Sequence, residues 1–590
     1  MTQAVLTLTI AHLNDTHSYF EPTHLPLTLN TPSGPIHPYV SVGGFARIAS
    51  RVKALRAQAS AKQQPFLLLH AGDCFQGTLY FTLFKGEANA RLLNALNIDA
   101  MALGNHELDM GNTPVYHFLN RIHFPMLAGN WDLSREQAGK AHPLAAQRNL
   151  FAYDATERRA KVKIHDYQGQ KVALFGLSIE KMHDIANPDA DTDFADAIET
   201  ARQTVAWLHQ QGIRHIILLS HLGYERDIDL AQRVDGIGLI IGAHTHRLQG
   251  DFSELGLGKD DDYGRKINRT YIVQSGCHAQ ALGHCQISFD AEGQVVAFAG
   301  KNELLLGRSL CIEPSLTEPL AEQSYQQAKA ILDQHPLTCW CPQDPEIKQL
   351  LAKHYQPHVT RWQQHVIAHN PSKKRHVRVP DQQGGSDIAP LVAQSFHHAM
   401  NALGKHVDFA IHNAGGTRTD LPAGAITSGD IAGRLLPFSI PVGCYDIDGD
   451  NLKALLEGAI NNATNNGVQG TGGGSYPYVY GLSFDYHPSA SAGQRIANLT
   501  IYQNGQWQVV EPQRTYTGSS TLYTMKGKEG YDAILKADNC QASELTMADC
   551  FIQFLQTKTN ALQERASDRA IDAASDTHER ECADNAPQKP

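Results

Sequence analysis

Five short polar motifs, each following an apolar run, hold the side chains best suited to chemistry. In order they are Asn14-Asp15-Thr16-His17, Gly72-Asp73, Gly104-Asn105-His106-Glu107, Ser220-His221 and Ala243-His244-Thr245-His246. Between them they supply Asp15, His17, Asp73, Asn105, His221, His244 and His246, a donor set of carboxylate, amide and imidazole with no thiolate. Such donors suit Mn, Fe, Zn or Mg, and pairs of divalent ions held this way hydrolyse phosphate esters. With 30 His in the chain, any one of them is more often a surface or core residue than a ligand. The weight lies in the ensemble. Cys339-Trp340-Cys341 has one intervening residue, too few for a zinc pair, and reads as structural.

The runs ahead of these motifs are LTLTIAHL, PFLLLH, IDAMAL, IRHIILL and GIGLIIG. Short apolar runs with β-branched residues are the pattern of buried strands. The polar motifs therefore fall where strands end and loops begin, the edge on which α/β folds build their sites. Helical stretches at 44–59 and 86–97 alternate with the strands, and the acidic turn in NPDADTDF should open an amphipathic helix. The segment 24–40, rich in turn formers and without a helical period, reads as a loop.

The order D-x-H, GD, GNHE, H, H-x-H resembles the calcineurin-like metallophosphoesterase superfamily. Within it, GNHELDMG and the GDCFQG around Asp73 resemble the 5′-nucleotidase family, which includes UDP-sugar hydrolases and 2′,3′-cyclic-nucleotide phosphodiesterases. IHNAGGTR at 411–418 resembles the N-x-G-G-x-R motif of that family's nucleotide domain, LPF at 436–438 its LPF, and GKEGYD at 527–532 its GGDGF. The resemblance runs from about residue 5 to about 535. It implies an α/β architecture: an N-terminal four-layer α/β/β/α metallophosphoesterase domain and a C-terminal α/β substrate-binding domain.

The resemblance also implies roles. Asp73 would bridge two cations about 3.5–4 Å apart, which need a shared anion at that spacing. Asp15, His17 and His246 would complete one ion's shell, and Asn105, His221 and His244 the other's. A water made acidic by the ions would attack phosphorus in line, opposite the leaving oxygen. His106 would stabilise the transferring phosphoryl group or protonate the leaving oxygen, with Asp109 holding its other ring nitrogen. In the second domain Asn413 would read the base edge, Arg418 would hold phosphate, and Phe438 and Tyr523 would stack on the base. Glu529 stands where the family has Asp, one methylene longer, at the ribose position. Gly384 stands where the family has an Arg, so one phosphate-clamping cation is absent or replaced by Arg375, Arg378 or Arg434. The reaction is then expected between the domains, with a hinge near 345–370.

A chain of 590 residues exceeds one core, so several segments are expected. They are a phosphoesterase domain over 1–310, a helical linker over 311–366, a nucleotide-binding domain over 367–570 and a polar tail over 571–590. A net charge of −10 argues against general affinity for nucleic acid or anionic membranes, and no run of 18 apolar residues is present. A monomer is the default expectation. The start MTQAVLTLTIAHL has no basic leader and reads as a first strand, which suggests the cytoplasm, or the periplasm if a leader has been removed. The expected function is metal-dependent phosphate removal from a small nucleotide. The alternatives are a phosphoesterase acting on other esters and a non-catalytic nucleotide-binding protein.

Overall fold

The computed structural model describes residues 4–32, 34–311, 320–438, 440–558 and 560–563. The expected polar tail over 571–590 lies outside the described residues. The chain forms two compact units, one through Pro357 and one from His358.

In the first unit the apolar runs become the strands Leu6–Leu13, Phe66–His70, Ala100–Ala102, His215–His221 and Leu239–Ile241. The first three are neighbours in an eleven-stranded sheet, and the last two are neighbours in a six-stranded sheet. Parallel pairing sends their C-terminal ends the same way: Leu13 lies beside His70, and Leu219 beside Ile241. Side chains alternate along each strand, so Leu8, Ile10, Leu67 and Leu69 meet Leu174, Ile217, Leu219 and Ile241 between the sheets. The outer face of the second sheet packs under the helices Ala197–Gln210 and Tyr224–Arg233. Helix Phe45–Ala61 lays Phe45, Ile48, Val52 and Leu55 on the first sheet. The layers are helix, sheet, sheet, helix.

Local chemistry sets the element ends. Asp196, in the acidic turn, accepts from Glu199 N at 2.7 Å and caps Ala197–Gln210. The segment 24–40, expected as a loop, instead forms the strands Thr23–Pro26, Leu29–Thr31, Gly34–Ile36 and Tyr39–Val42. Its turn formers punctuate short hairpins, while Leu27, Leu29, Val40 and Val42 are buried against Phe252, Leu306 and Leu332. The helices Glu322–Gln334 and Pro345–His354 pack on this unit, the second of them against Phe45–Ala61.

The second unit centres on a five-stranded sheet containing Phe409–Asn413, Thr515–Thr521 and Pro441–Asp448. Phe409 and Ile411 pack with Leu452, Leu455 and Leu456 of helix Gly449–Thr464. On the opposite face His412 meets Phe396 of Ala389–Ala402 at 5.5 Å. Both faces of the sheet are covered. Among the described residues no helix is long and apolar enough to cross a membrane.

The inter-sheet layer carries the first unit. Leu219→Ala, at a fully buried position between the sheets, is expected to cost about 2–5 kcal/mol in urea unfolding. An unchanged midpoint would mean that the two sheets do not share one core.

Candidate functional site

Asp15, His17 and His246 bring ligand atoms within 4.8 Å of one another, and so do Asp73, His221 and His244. His17, Asp73 and His106 form a third group on the same criterion, joining the first two. Asn105 belongs to the second: its Oδ1 lies 3.2 Å from His221 Nε2 and 3.0 Å from His244 Nδ1. All seven candidate ligands thus converge from five strand ends. The donors, hard oxygens with imidazoles, fit divalent cations.

Convergence is imposed on unusual backbone. Asp15, His17, Asp73, His244 and His246 have φ of 48°, 46°, 57°, 72° and 57°. L-residues adopt this left-handed region rarely, and it clusters at functional sites. In His244-Thr245-His246 the bend lets two imidazoles two residues apart reach different groups. Two glycines are required by contact: a Cβ on Gly104 would fall 2.2 Å from Asp73 Oδ1, and one on Gly72 2.7 Å from His221 Nδ1.

A buried polar frame holds these turns. Glu107, 1% exposed, accepts from four backbone N–H groups: Asp73 at 3.0 Å, Cys74 at 2.7 Å, Phe75 at 3.0 Å and Gly104 at 2.8 Å. One carboxylate therefore fixes the Asp73 loop to the Asn105 loop. Asn14 donates to Asp15 Oδ2 at 2.7 Å and accepts from Ser275 N at 2.9 Å. Gln274 accepts from Arg247 N at 2.7 Å and donates to Ala243 O at 2.9 Å, bracketing the His244–His246 turn. His70 accepts from Gly72 N at 3.1 Å through Nδ1, leaving Nε2 to donate to Thr16 Oγ1 at 3.0 Å. His221 Nδ1 donates to Ala71 O at 2.8 Å, so Nε2 is the ring nitrogen turned toward Asp73, 3.1 Å from its Oδ2. Sequence reasoning passed over Asn14, His70 and Gln274 as site residues. Asn14 alone carried a signal, lying inside the first motif.

Electrostatics follow from burial and proximity. Burial opposes the charge on Asp73, yet the imidazoles around it, His221 first, hold its carboxyl well below the ordinary range. Burial brings His17 down to about 3 and His244 to about 4, so both imidazoles are neutral and able to ligate. His106 behaves oppositely. Burial lowers its pKa, but Asp109, then Asp73, outweigh that and raise it to about 10. His106 Nδ1 lies 2.6 Å from Asp109 Oδ2, and its backbone N–H donates to Asp73 Oδ1 at 2.8 Å. Burial also opposes the charge on His221 and His246, but Asp73 raises the first to about 9 and Asp15 the second to about 10, so cations binding there would displace their protons.

In the second unit Asn413 ends the strand Phe409–Asn413 and accepts from Thr524 Oγ1 at 3.4 Å, beside Tyr523. The Arg418 guanidinium lies over the Phe438 ring at 5.5 Å. Glu529, at φ 55°, is hydrogen-bonded by Tyr523 and by Thr471 Oγ1 at 3.4 Å, and burial raises its pKa. Of the three cations that could replace the Arg absent at Gly384, Arg375 is paired with Asp381, and Arg434 lies 3.7 Å from Asp430. Arg378 is exposed, and its charge reaches both Arg418 and Glu529. Arg378 carries no ion pair among the described residues.

Two family models match the chain: "Calcineurin-like phosphoesterase" over residues 8–248 and "5′-nucleotidase, C-terminal domain" over 366–536. The chain is 31% identical to a Treponema pallidum protein named "Probable 5′-nucleotidase", over 94% of this chain and 92% of the relative. It is 29% identical to the NAD 5′-nucleotidase of Haemophilus influenzae, covering 93% of this chain and 90% of that one. The crystal structure of a 5′-nucleotidase precursor from Thermus thermophilus superposes with TM-score 0.65 at 26% identity, covering 94% of this chain and 97% of that chain.

Glu107 offers a direct test of the frame. Glu107→Ala strands four buried N–H groups and is expected to cost about 3 kcal/mol or more, read as a lower urea midpoint. Glu107→Gln keeps one acceptor oxygen and should fall between. Wild-type midpoints in both variants would show that the carboxylate does not hold the loops.

Proposed function

Because the chain belongs to the 5′-nucleotidase family of calcineurin-like phosphoesterases, we propose that its two ligand groups hold a pair of divalent cations serving hydrolysis of a nucleotide's phosphate ester. The protein is a metal-dependent phosphohydrolase acting on nucleotides. The observation behind the two-cation reading is that the Asp15-His17-His246 and Asp73-His221-His244 groups meet beside the His106–Asp109 pair.

Asp15, His17 and His246 would hold one cation and Asn105, His221 and His244 the other, with Asp73 available to both. Mn, Zn, Fe and Mg all suit this donor set. Bound there, the cations supply an acidified water and neutralise charge on the phosphate. His106, kept protonated by Asp109 at Nδ1, presents Nε2–H to the phosphoryl group and gives a proton to the leaving oxygen. Asn14 and Glu107 keep Asp15 and Asp73 from rotating away.

The second unit supplies the nucleoside contacts. Phe438 and Tyr523 stack on the base, and the Asn413 amide reads its edge. Arg418 holds phosphate, with Arg378 as the second cation in place of the family's missing Arg. Glu529 reaches the ribose hydroxyls through the extra methylene, steadied by Tyr523 and Thr471.

The test is phosphate release from AMP, UMP and p-nitrophenyl phosphate, with UMP followed from UDP-glucose and the monophosphate from 2′,3′-cyclic AMP. NAD joins the panel because the Haemophilus influenzae relative is named for it. Chelation should abolish turnover of one nucleotide class, and a divalent cation should restore it. His106→Ala is expected to lower kcat about 100-fold or more with metal uptake intact, whereas Asp73→Asn should lose metal. Arg378→Ala should raise the nucleotide KM about tenfold. Turnover of p-nitrophenyl phosphate alone would favour the non-nucleotide alternative, and nucleotide binding without turnover in any metal would favour the binding-protein alternative.

A further inference from the structure

Ser220 and Gly242 occupy matching places on neighbouring parallel strands, because Leu219 pairs in register with Ile241 and each is followed by one of them. The next residue on the first strand is His221, and two residues on from Gly242 comes His244. Both belong to the group with Asp73. Against the two strand ends sits Asp227 of helix Tyr224–Arg233, fully buried and unused in the chemistry described above.

Its two oxygens face different strands. Oδ1 accepts from Ser220 Oγ, and the same Oγ accepts from Leu222 N at 3.3 Å, so the residues on both sides of His221 are tied to one point. Oδ2 has no hydrogen-bond partner among the described residues and fills the space where Gly242 lacks a side chain. A Cβ there would lie 2.3 Å from Oδ2 and 3.2 Å from Gln274 Nε2. Gln274 in turn holds Ala243 O, the peptide directly ahead of His244. Burial lifts the Asp227 carboxyl to about 7, the response of an acid whose second oxygen lacks a donor.

We propose that Asp227 is a positioning residue that sets the separation of His221 and His244, and with it the affinity of one of the two cations. It touches neither cation nor substrate. The inference rests on the two-cation reading above, and a neutral filler of the core would fit the same space without that effect.

Calorimetric titration of the metal-stripped full chain with Mn²⁺ separates the cases. Asp227→Ala is expected to weaken one ion about 10–100-fold and leave the other within about threefold, the usual scale for a group behind a ligand. Asp227→Asn keeps the volume and the acceptor for Ser220, and should bind both ions like wild type. Gly242→Ala should weaken the same ion as Asp227→Ala. Adding it to Asp227→Ala should cost nothing further, because the new Cβ enters vacated space. Ser220→Ala, which removes the donor without opening a large cavity, gives the same readout should Asp227→Ala fail to fold. Unchanged affinities, equal weakening of both ions, or an Asp227→Asn variant as damaged as the alanine would each overturn the proposal. Fewer than two ions in the wild-type protein would instead overturn the two-cation reading itself.

Discussion

Two carboxylates, Asp15 and Asp73, lie almost wholly out of water, and everything around them answers that constraint. A buried carboxylate is costly unless it is paired and hydrogen-bonded. Here each is ringed by imidazoles and backbone N–H groups, His244 N on Asp15 and His106 N on Asp73. The same crowding makes the place attractive to divalent cations, which can take over from the protons that His221 and His246 hold against two buried anions. Stability and chemistry draw on one electrostatic arrangement.

Holding that arrangement requires backbone that the chain would not choose. Five of the candidate ligands sit at left-handed φ, each at a cost of about 1–3 kcal/mol. The inter-sheet core offsets this strain from below and the polar frame from the sides. Glu107 joins Asp73 to Gly104, 31 residues further along the chain, and Asn14 and Gln274 do the same for the first and last motifs. Such frames leave little freedom: the glycines at 72 and 104 lie where any side chain would strike His221 or Asp73. A site of this kind is rigid by construction.

The second unit shows a looser design. Its candidate substrate residues lie mostly on loops and a short helix, with Asn413 at a strand end, and several meet pairwise: Arg418 over Phe438, Tyr523 on Glu529, Thr524 on Asn413. Glu529, longer than the family's Asp, is drawn toward Thr471 of a Gly-rich loop, so the departure in sequence has a structural counterpart. Loops adapt more readily than strand ends, which is where a family varies its substrates over fixed chemistry.

The amino-acid sequence by itself determined the strands that precede each polar motif, because hydrophobic periodicity and the placing of donors after apolar runs are local properties, while the fold class came with the resemblance of the ordered motifs to a known family. The segment 24–40 was misread for the same reason: its strands are short and broken by turn formers, and only burial of Leu27, Leu29, Val40 and Val42 against Phe252 and Leu332 stabilises them. No local pattern puts donors into one group, which the resemblance alone had implied: His17 and His246 are 229 residues apart, and only the tertiary structure brings their Nε2 atoms to 3.2 Å from each other. It alone showed that Arg375 and Arg434 lie against nearby acids, Asp381 and Asp430. It alone revealed Asp227, an ordinary helix residue in sequence, at the junction of two strand ends. Convergence of distant side chains depends on sheet register and backbone twist, and neither is written in any local stretch of residues.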